Sequence, residues 1–309
     1  MIGVILATHN GADTIEQTLQ ALCDISQPQG GWQLIVVNNA STDETSHIIH
    51  RFSSHLPLRY VEEPNLGKAN AVNAGIAHAC GDLTVFTDDD VIPDHNWLCE
   101  WRRVADQHPE IDIFGGSIVP AFEASPPAWL RETNWMLMLY AATTPTLAEG
   151  AFPANAAEVF GPNMAVRSKV LEAGYRFDPR LMKGATGLIG DETDFVIRAA
   201  SGGALLGFAP TARVRHIVNR SQVTWRWMLR RFYRHGRTLY YCETASRIAA
   251  FPCIAGIPRY LFRRIAEQVL LLPVALASGK KKRIMALLRT IAYDLGAAYQ
   301  AKLMAKERA

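Results

Sequence analysis

Three adjacent carboxylates, Asp88-Asp89-Asp90, follow directly on the strand-like run Leu83–Phe86. Burying them together is costly unless a cation neutralises them, because each loses hydration and all repel. Hard oxygen donors suit Mg²⁺ or Mn²⁺, which complete their shells with water and phosphate oxygens. On an extended strand end Asp88 and Asp90 would point one way and Asp89 the other. A solvated acidic turn is the plain alternative; the apolar strand ahead of the triplet favours the metal. A second candidate is NLGKANAVNAG, Asn65–Gly75. Its small residues let backbone approach a ligand or the sheet, and Lys68 at the helix start suits a phosphate. A third is GDETDFVIR, with Asp191, Glu192 and Asp194 at a helix start. There a carboxylate could take a proton from an acceptor hydroxyl, or serve only as a dipole partner. His216, in VRHIV, is a candidate metal or phosphate ligand.

The elements around these groups alternate. Ile2–Ala7 is a short apolar run ending in a turn at Thr8–Gly11, and Ile15, Leu19 and Leu22 make a helical stripe. Gln33–Val37 and Leu58–Val61 are further strands. Ser41-Thr42-Asp43-Glu44 reads as a capping box for a helix through Phe52, and Lys68–Cys80 as a third helix. Strand–helix alternation predicts parallel strands with helices on both faces, and ligands gather at the carboxyl ends of such strands. Thr8-His9-Asn10, Asn38-Asn39 and the acidic triplet should therefore converge on one crevice. From about residue 111 to 216 short strand-like pieces, among them Glu158–Val166, predict a mixed sheet extension. They surround an irregular stretch near Phe122–Pro153 whose Trp129, Trp135 and Tyr140 could stack on a ligand, though large aromatics more often serve packing. After Ser221 the chain reads as helix almost to its end.

Hydrophobic residues make up 49% and charged residues 20% of the 309, so a filled core is expected. The formal net charge of +3 does not imply nucleic acid, and no base-stacking motifs accompany the basic runs. Five scattered cysteines without CxxC argue against zinc and disulfides and fit a reducing compartment. Met1 runs straight into a strand, with no signal peptide pattern, so a cytoplasmic setting is expected, at the inner face of a membrane if one is contacted.

Six segments in order resemble the family-2 inverting glycosyltransferases of the GT-A fold. VILATHNGADTIEQTLQAL is similar to the family's opening, LIVVNNASTDET to its "IIVVDDGSTD", and NLGKANAVNAG to its "N-x-G-x-x-x-A-x-N-x-G" helix. FTDDDVIPDHNWL resembles its DxD segment, GPNMAVR the "G-x-N-x-x-x-R" stretch beside the acceptor, and GDETDFVIR its "EDxDLxxR". The resemblance implies an α/β fold with a Rossmann-like, mostly parallel sheet and a helical C-terminal appendage. It implies a GT-A domain over 1–220, with a nucleotide half to about 110 and an acceptor half over 111–220, and a helical region over 221–309.

It further implies a metal-dependent, inverting transfer from a nucleotide sugar, a UDP-sugar first among them, to a glycan or lipid-linked hydroxyl in surface polysaccharide synthesis. Thr8, Asn10, Asn39, Lys68, Asp88 and Asp89 would bind donor. Asp90, Asp88 and His216 would hold Mn²⁺ or Mg²⁺, Glu192 or Asp191 would be the base, and Asn163 and Arg198 would lie on the acceptor side. Two departures stand out: Asn38-Asn39 replaces the usual Asp-Asp, and Asp191-Glu192 reverses the usual Glu-Asp. A nucleotidyltransferase would carry a glycine-rich basic loop after its first strand, which THNGADT lacks; a silent GT-A-like binding protein would have lost the acids, and all are present.

Near the C-terminus, Ile265–Gly279 is apolar for too few residues to span a bilayer, which takes roughly 20. Arg259, Arg263, Arg264 and Lys280–Arg283 flank it. A basic helix on an anionic leaflet over about 255–285 is expected, with an appendage or oligomer interface as the alternative.

Overall fold

The first strand already shows how the sheet is built. In the computed structural model, β1 (Ile2–Thr8) sends Ile2, Val4 and Leu6 to one face and Ile5 to the other. Helix α1 (Ile15–Cys23) covers the first face with Ile15, Leu19 and Leu22, all essentially inaccessible. Each such side chain contributes roughly 1.5–3 kcal/mol on burial. The structure describes residues 1–131, 135–152, 158–181, 188–247 and 251–308.

Strand β2 (Trp32–Asn38), α2 (Thr45–Arg51), β3 (Leu58–Glu62), α3 (Lys68–Ile76) and β4 (Leu83–Asp88) follow. Their strands stand β3-β2-β1-β4, all parallel, as the alternation predicts. Next come β5 (Val91–Pro93), α4 (Trp97–Gln107), β6 (Ile113–Phe122), the short α5 (Ala128–Arg131) and α6 (Met136–Tyr140), and β7 (Gly150–Phe152). Then β8 (Asn163–Arg167), α7 (Ser168–Glu172), α8 (Asp191–Ser201) and the long β9 (Leu206–Val218) complete the sheet. It continues β4-β8-β6-β9-β5, with β7 beside β9, and β8 pairs antiparallel with both β4 and β6. The extension is mixed, as expected.

Three local expectations change. Helix α2 opens at Thr45 without a capping box; Asp43 Oδ1 instead accepts the Thr45 amide at 3.1 Å. Helix α3 stops at Ile76, well short of Cys80. Strand β8 begins at Asn163 because Pro162 turns the chain just before it and its carbonyl accepts the Thr87 hydroxyl at 3.1 Å.

Two compact units are present. The first comprises Met1–Ala121, Tyr140–Gly184 and Asp191–Ile217; the second Phe122–Leu139, Ala185–Gly190 and Val218–Ala309. In the second, α9 (Trp225–Arg247), the hairpin β10 (Cys253–Ile254) and β11 (Ile257–Pro258), α10 (Arg259–Ala277) and α11 (Lys281–Arg308) follow in order. Tyr240, Leu261, Ala297, Ala298 and Ala301 form its small core. Among the described residues no helix is long and apolar enough to cross a membrane.

Candidate functional site

The carboxyl ends of β1 and β4 lie side by side, Ala7 opposite Asp88. Strand β4 ends at Asp88, and Asp89 and Asp90 round a turn into β5. The two-fold alternation expected of the triplet is therefore broken, and each carboxylate finds its own partner. Asp88 Oδ1 accepts from Lys68 Nζ at 2.6 Å. Asp89 accepts the hydroxyl of Thr8. Asp90 Oδ2 lies 3.3 Å from His216 Nε2, across the β5–β9 pairing.

Two residues not singled out from sequence make this turn. A Cβ at Gly11 would collide with the Asp89 carboxylate and the Thr8 hydroxyl, so a larger residue there would push that pair apart. The Thr18 hydroxyl donates to the Asp89 carbonyl at 2.9 Å and accepts the Val91 amide at 3.2 Å, bracketing the bend. Its place in the α1 stripe was the available signal.

Electrostatics separate the three acids. Burial and the Asp90 charge push the Asp89 carboxyl up to about 7. For Asp90, burial opposes ionisation, but the hydrogen bond and charge of His216 outweigh it and lower its pKa. For His216, burial opposes the cation, and Asp90 outweighs it and raises the pKa. Its Nδ1 lies 2.9 Å from the Tyr140 carbonyl, an acceptor only, so Nδ1 carries a proton. Nε2 then faces the Asp90 carboxylate either as imidazolium or with a cation between them, the arrangement that orients a metal-ligating histidine. Asp90 Oδ1 is buried with no hydrogen-bond partner.

Lys68 begins α3, after Gly67 at φ 141°. Burial works against its charge, but Asp88, Asp191 and Glu192 outweigh it and raise its pKa. Lys68, Asp88, Asp191 and Glu192 line one crevice with Phe86, Thr87, Met164 and Phe177. Asp191 is 2% exposed in the first turn of α8. Burial and the Asp191 charge push the neighbouring Glu192 up to about 8.

Asn39 is 2% exposed, and its amide donates to the Glu63 and Asn65 carbonyls at 2.8 and 2.9 Å. Its Oδ1 accepts the Gly67 amide at 2.7 Å. An aspartate could not make the two donations, which accounts for the amide here. This use commits both amide hydrogens and one lone pair of Oδ1 to the chain itself. Asn10, at φ 50°, stitches the loop after β1 to that after β2 by accepting the Thr42 amide at 2.8 Å. Asn38 turns to Tyr60 and Glu62.

The expected acceptor-side residues are not gathered with these groups. Asn163 is fully buried, accepting from Trp97 Nε1 at 2.9 Å and donating to the Ser117 and Ala212 carbonyls. It ties strands together and offers nothing to a ligand. Arg198 is held by Asp194 at 2.8 Å and the Arg176 carbonyl at 2.7 Å. Trp135 and Tyr140 are 6% and 2% exposed, so they pack and cannot stack on a sugar.

Parallel strands with acids and an amine at their carboxyl ends, followed by a mixed extension, define an α/β protein of the GT-A fold. Residues 3–174 match the family described as glycosyl transferase family 2, and the chain belongs to it. Over 94 residues it is 33% identical to the poly-beta-1,6-N-acetyl-D-glucosamine synthase of Staphylococcus epidermidis, covering 30% of this chain and 22% of that protein. Glycosyltransferase AglE of Haloferax volcanii is 26% identical over 211 residues, 67% of this chain and 64% of AglE. The chain thus spans less than two thirds of these relatives. Among solved structures, mannosyltransferase PcManGT of Pyrobaculum calidifontis with GDP-Man and Mn²⁺ superposes with TM-score 0.62 at 22% identity, over 99% of this chain and 87% of that one. TarS of S. aureus with UDP gives 0.56 at 14% identity, over 100% and 92%.

Proposed function

We propose that the protein transfers a sugar from a nucleotide-sugar donor to a hydroxyl of a glycan or lipid-linked acceptor, inverting the anomeric centre. The observation that carries this is the crevice in which Lys68 and Asp88 meet the buried Asp191 and the half-buried Glu192. Glu192, pushed up to about 8, is a carboxylate basic enough to receive a hydroxyl proton near neutrality. As it does so the acceptor oxygen bonds to the anomeric carbon, and the carbon–phosphate-oxygen bond breaks with its electron pair leaving on the nucleoside diphosphate. Lys68 and the amides at the start of α3 favour that departing charge.

A divalent cation fits the donor set. Asp90, with its orphaned buried oxygen, and His216, fixed through Tyr140, would hold it. Among the described residues no three acidic, imidazole or thiol groups converge on one metal. Mg²⁺ and Mn²⁺ sites at phosphates commonly need only one or two protein ligands, the substrate supplying the rest. Asp88, expected as a ligand, is committed to Lys68. When bound, the cation would neutralise diphosphate charge as the leaving group departs. The PcManGT complex with Mn²⁺ supports this choice of ion, and neighbours carrying UDP and GDP-Man support a nucleotide sugar, a UDP-sugar being the first to try.

The same reading places the protein on the inner membrane leaflet through α10. Phe262, Val269, Leu270, Val274 and Leu276 are exposed there, Leu270 at 76%. Arg259 and Arg263 lie at one end and Lys280–Arg283 beyond the other, all exposed. A two-fold pairing of this helix with a second copy would set basic end against basic end, whereas anionic lipid complements both. The test of the whole reading is a donor panel with Mn²⁺, followed by release of nucleoside diphosphate. Turnover of one nucleotide sugar, lost in Asp90→Ala, is expected; turnover of none, or full activity of Asp90→Ala in chelator, would overturn it.

A further inference from the structure

The second unit contains a cleft of about 320 Å³ lined by Met138, Phe232, Arg264, Arg289, Thr290 and Tyr293. Two guanidinium groups and two aromatic rings face one space, and no carboxylate lines it among the described residues. Arg264 is balanced, its Nη2 standing 3.0 Å from Oδ1 of the fully buried Asp294. Arg289 is held differently. Its guanidinium carbon lies 5.4 Å from the Trp135 ring centre and 5.6 Å from that of Phe232. Its Nε is buried without a hydrogen-bond partner. Stacking on ring faces fixes the guanidinium plane and leaves its N–H fork to be satisfied by something else.

Elsewhere in the unit, α9 also carries positive charge. On α9, burial and the charges of Arg231 and Arg237 pull Arg234 down to about 10. Burial and Arg231 likewise hold His235 down to about 4. At the cleft itself Asp294 acts on both Arg264 and Arg289, and one carboxylate can offset only one of the two charges. A partly buried excess of positive charge is a standing cost that an anion relieves. The arginine fork matches planar and tetrahedral oxyanions, with phosphate the better use of two guanidinium groups. The volume exceeds what a bare ion needs, and Phe232, Met138 and Tyr293 offer apolar wall to an organic substituent.

We propose that this cleft binds the phosphate or diphosphate group of an organic ester, with Arg289 as its principal anchor. The assignment stands on residues of the second unit alone and does not depend on the transfer reaction proposed above. The ester could be free in solution or the headgroup of a lipid.

The test titrates inorganic pyrophosphate into the full chain in chelator, by calorimetry, at low and high salt. Wild type is expected to bind in a salt-weakened manner. Arg289→Gln should lose at least tenfold in affinity, whereas Lys68→Gln, in the donor crevice, should change it by less than twofold. Arg289→Lys keeps the charge and guards against a folding defect; loss of the fork and stack should still weaken binding severalfold, with an unchanged melting curve. Geranyl diphosphate distinguishes the sources: binding tenfold tighter than pyrophosphate marks a lipid-borne group, equal binding a soluble one. Wild-type affinity in both Arg289 variants, loss only in Lys68→Gln, or no binding of either probe would each overturn the assignment.

Discussion

At the scale of single residues, the acid pair at the start of α8 poses the sharpest question. Asp191 is 2% exposed while Glu192 is pushed up to about 8, so Glu192 has both the reach and the basicity for proton removal. Glu192→Gln should cut kcat by at least about a hundredfold, the usual worth of a general base, with donor affinity nearly unchanged. Asp191→Asn should cost less; if it costs as much while Glu192→Gln turns over, the roles are exchanged. Asn39 invites a second substitution. Asn39→Asp replaces two donations to the Glu63 and Asn65 carbonyls with repulsion. The expected cost is about 1–3 kcal/mol of stability, read as a lower urea midpoint; an unchanged midpoint would show that the clamp carries no load. Much of this site was legible in the sequence, because acid triplets, lysine at a helix start and acids in a first turn are matters of type and spacing. The partners were not. That Asp88 meets Lys68, Asp89 meets Thr8 and Asp90 meets His216 follows from a turn after β4 that no local pattern encodes. The burial of Asn163 was equally hidden, since a buried clamp and an acceptor contact use the same amide.

At the scale of elements, the parallel half of the sheet was readable from its periodicity, since β1, β2 and β4 bury both faces and carry continuous apolar runs. The antiparallel half was readable only in kind, because pairing of β8 with both β4 and β6 is set by distant chain. In the second unit the crossing of α9 and α11 rests on two glycines. A Cβ on Gly236 would strike the Tyr293 carbonyl, and one on Gly296 the Tyr233 carbonyl. Alanine favours an isolated helix over glycine by about 1 kcal/mol. Overpacking of this kind typically costs about 1–3 kcal/mol and more where backbone is struck, so the clash should win. Gly236→Ala and Gly296→Ala are each expected to lower the thermal midpoint; a rise in either would mean that the helices separate without penalty.

At the scale of the whole molecule, the basic excess after Ser221 was visible in the sequence, but its division into outward and inward charge was not. Arg259, Arg263 and Lys280–Arg283 are exposed beside the apolar face of α10, while the charges of Arg231 and Arg234 act on the half-buried ring of His235. That inward field predicts how stability responds to acid. The His235 Nε2 lies 2.7 Å from the Met138 carbonyl, so the neutral ring donates there. Burial and Arg231 hold its pKa near 4, below the 6.5 of an exposed histidine. Above pH 6.5 neither folded nor unfolded chain protonates this ring, and its contribution is complete. Between pH 6.5 and 4 the unfolded chain takes up the proton first, so stability falls as pH falls. Over that window the loss approaches about 3 kcal/mol. His235→Gln retains a donor for the carbonyl without titrating, and should flatten the urea midpoint between pH 6.5 and 4 while lowering it little at pH 8. A variant whose acid slope matched wild type would place the proton uptake elsewhere.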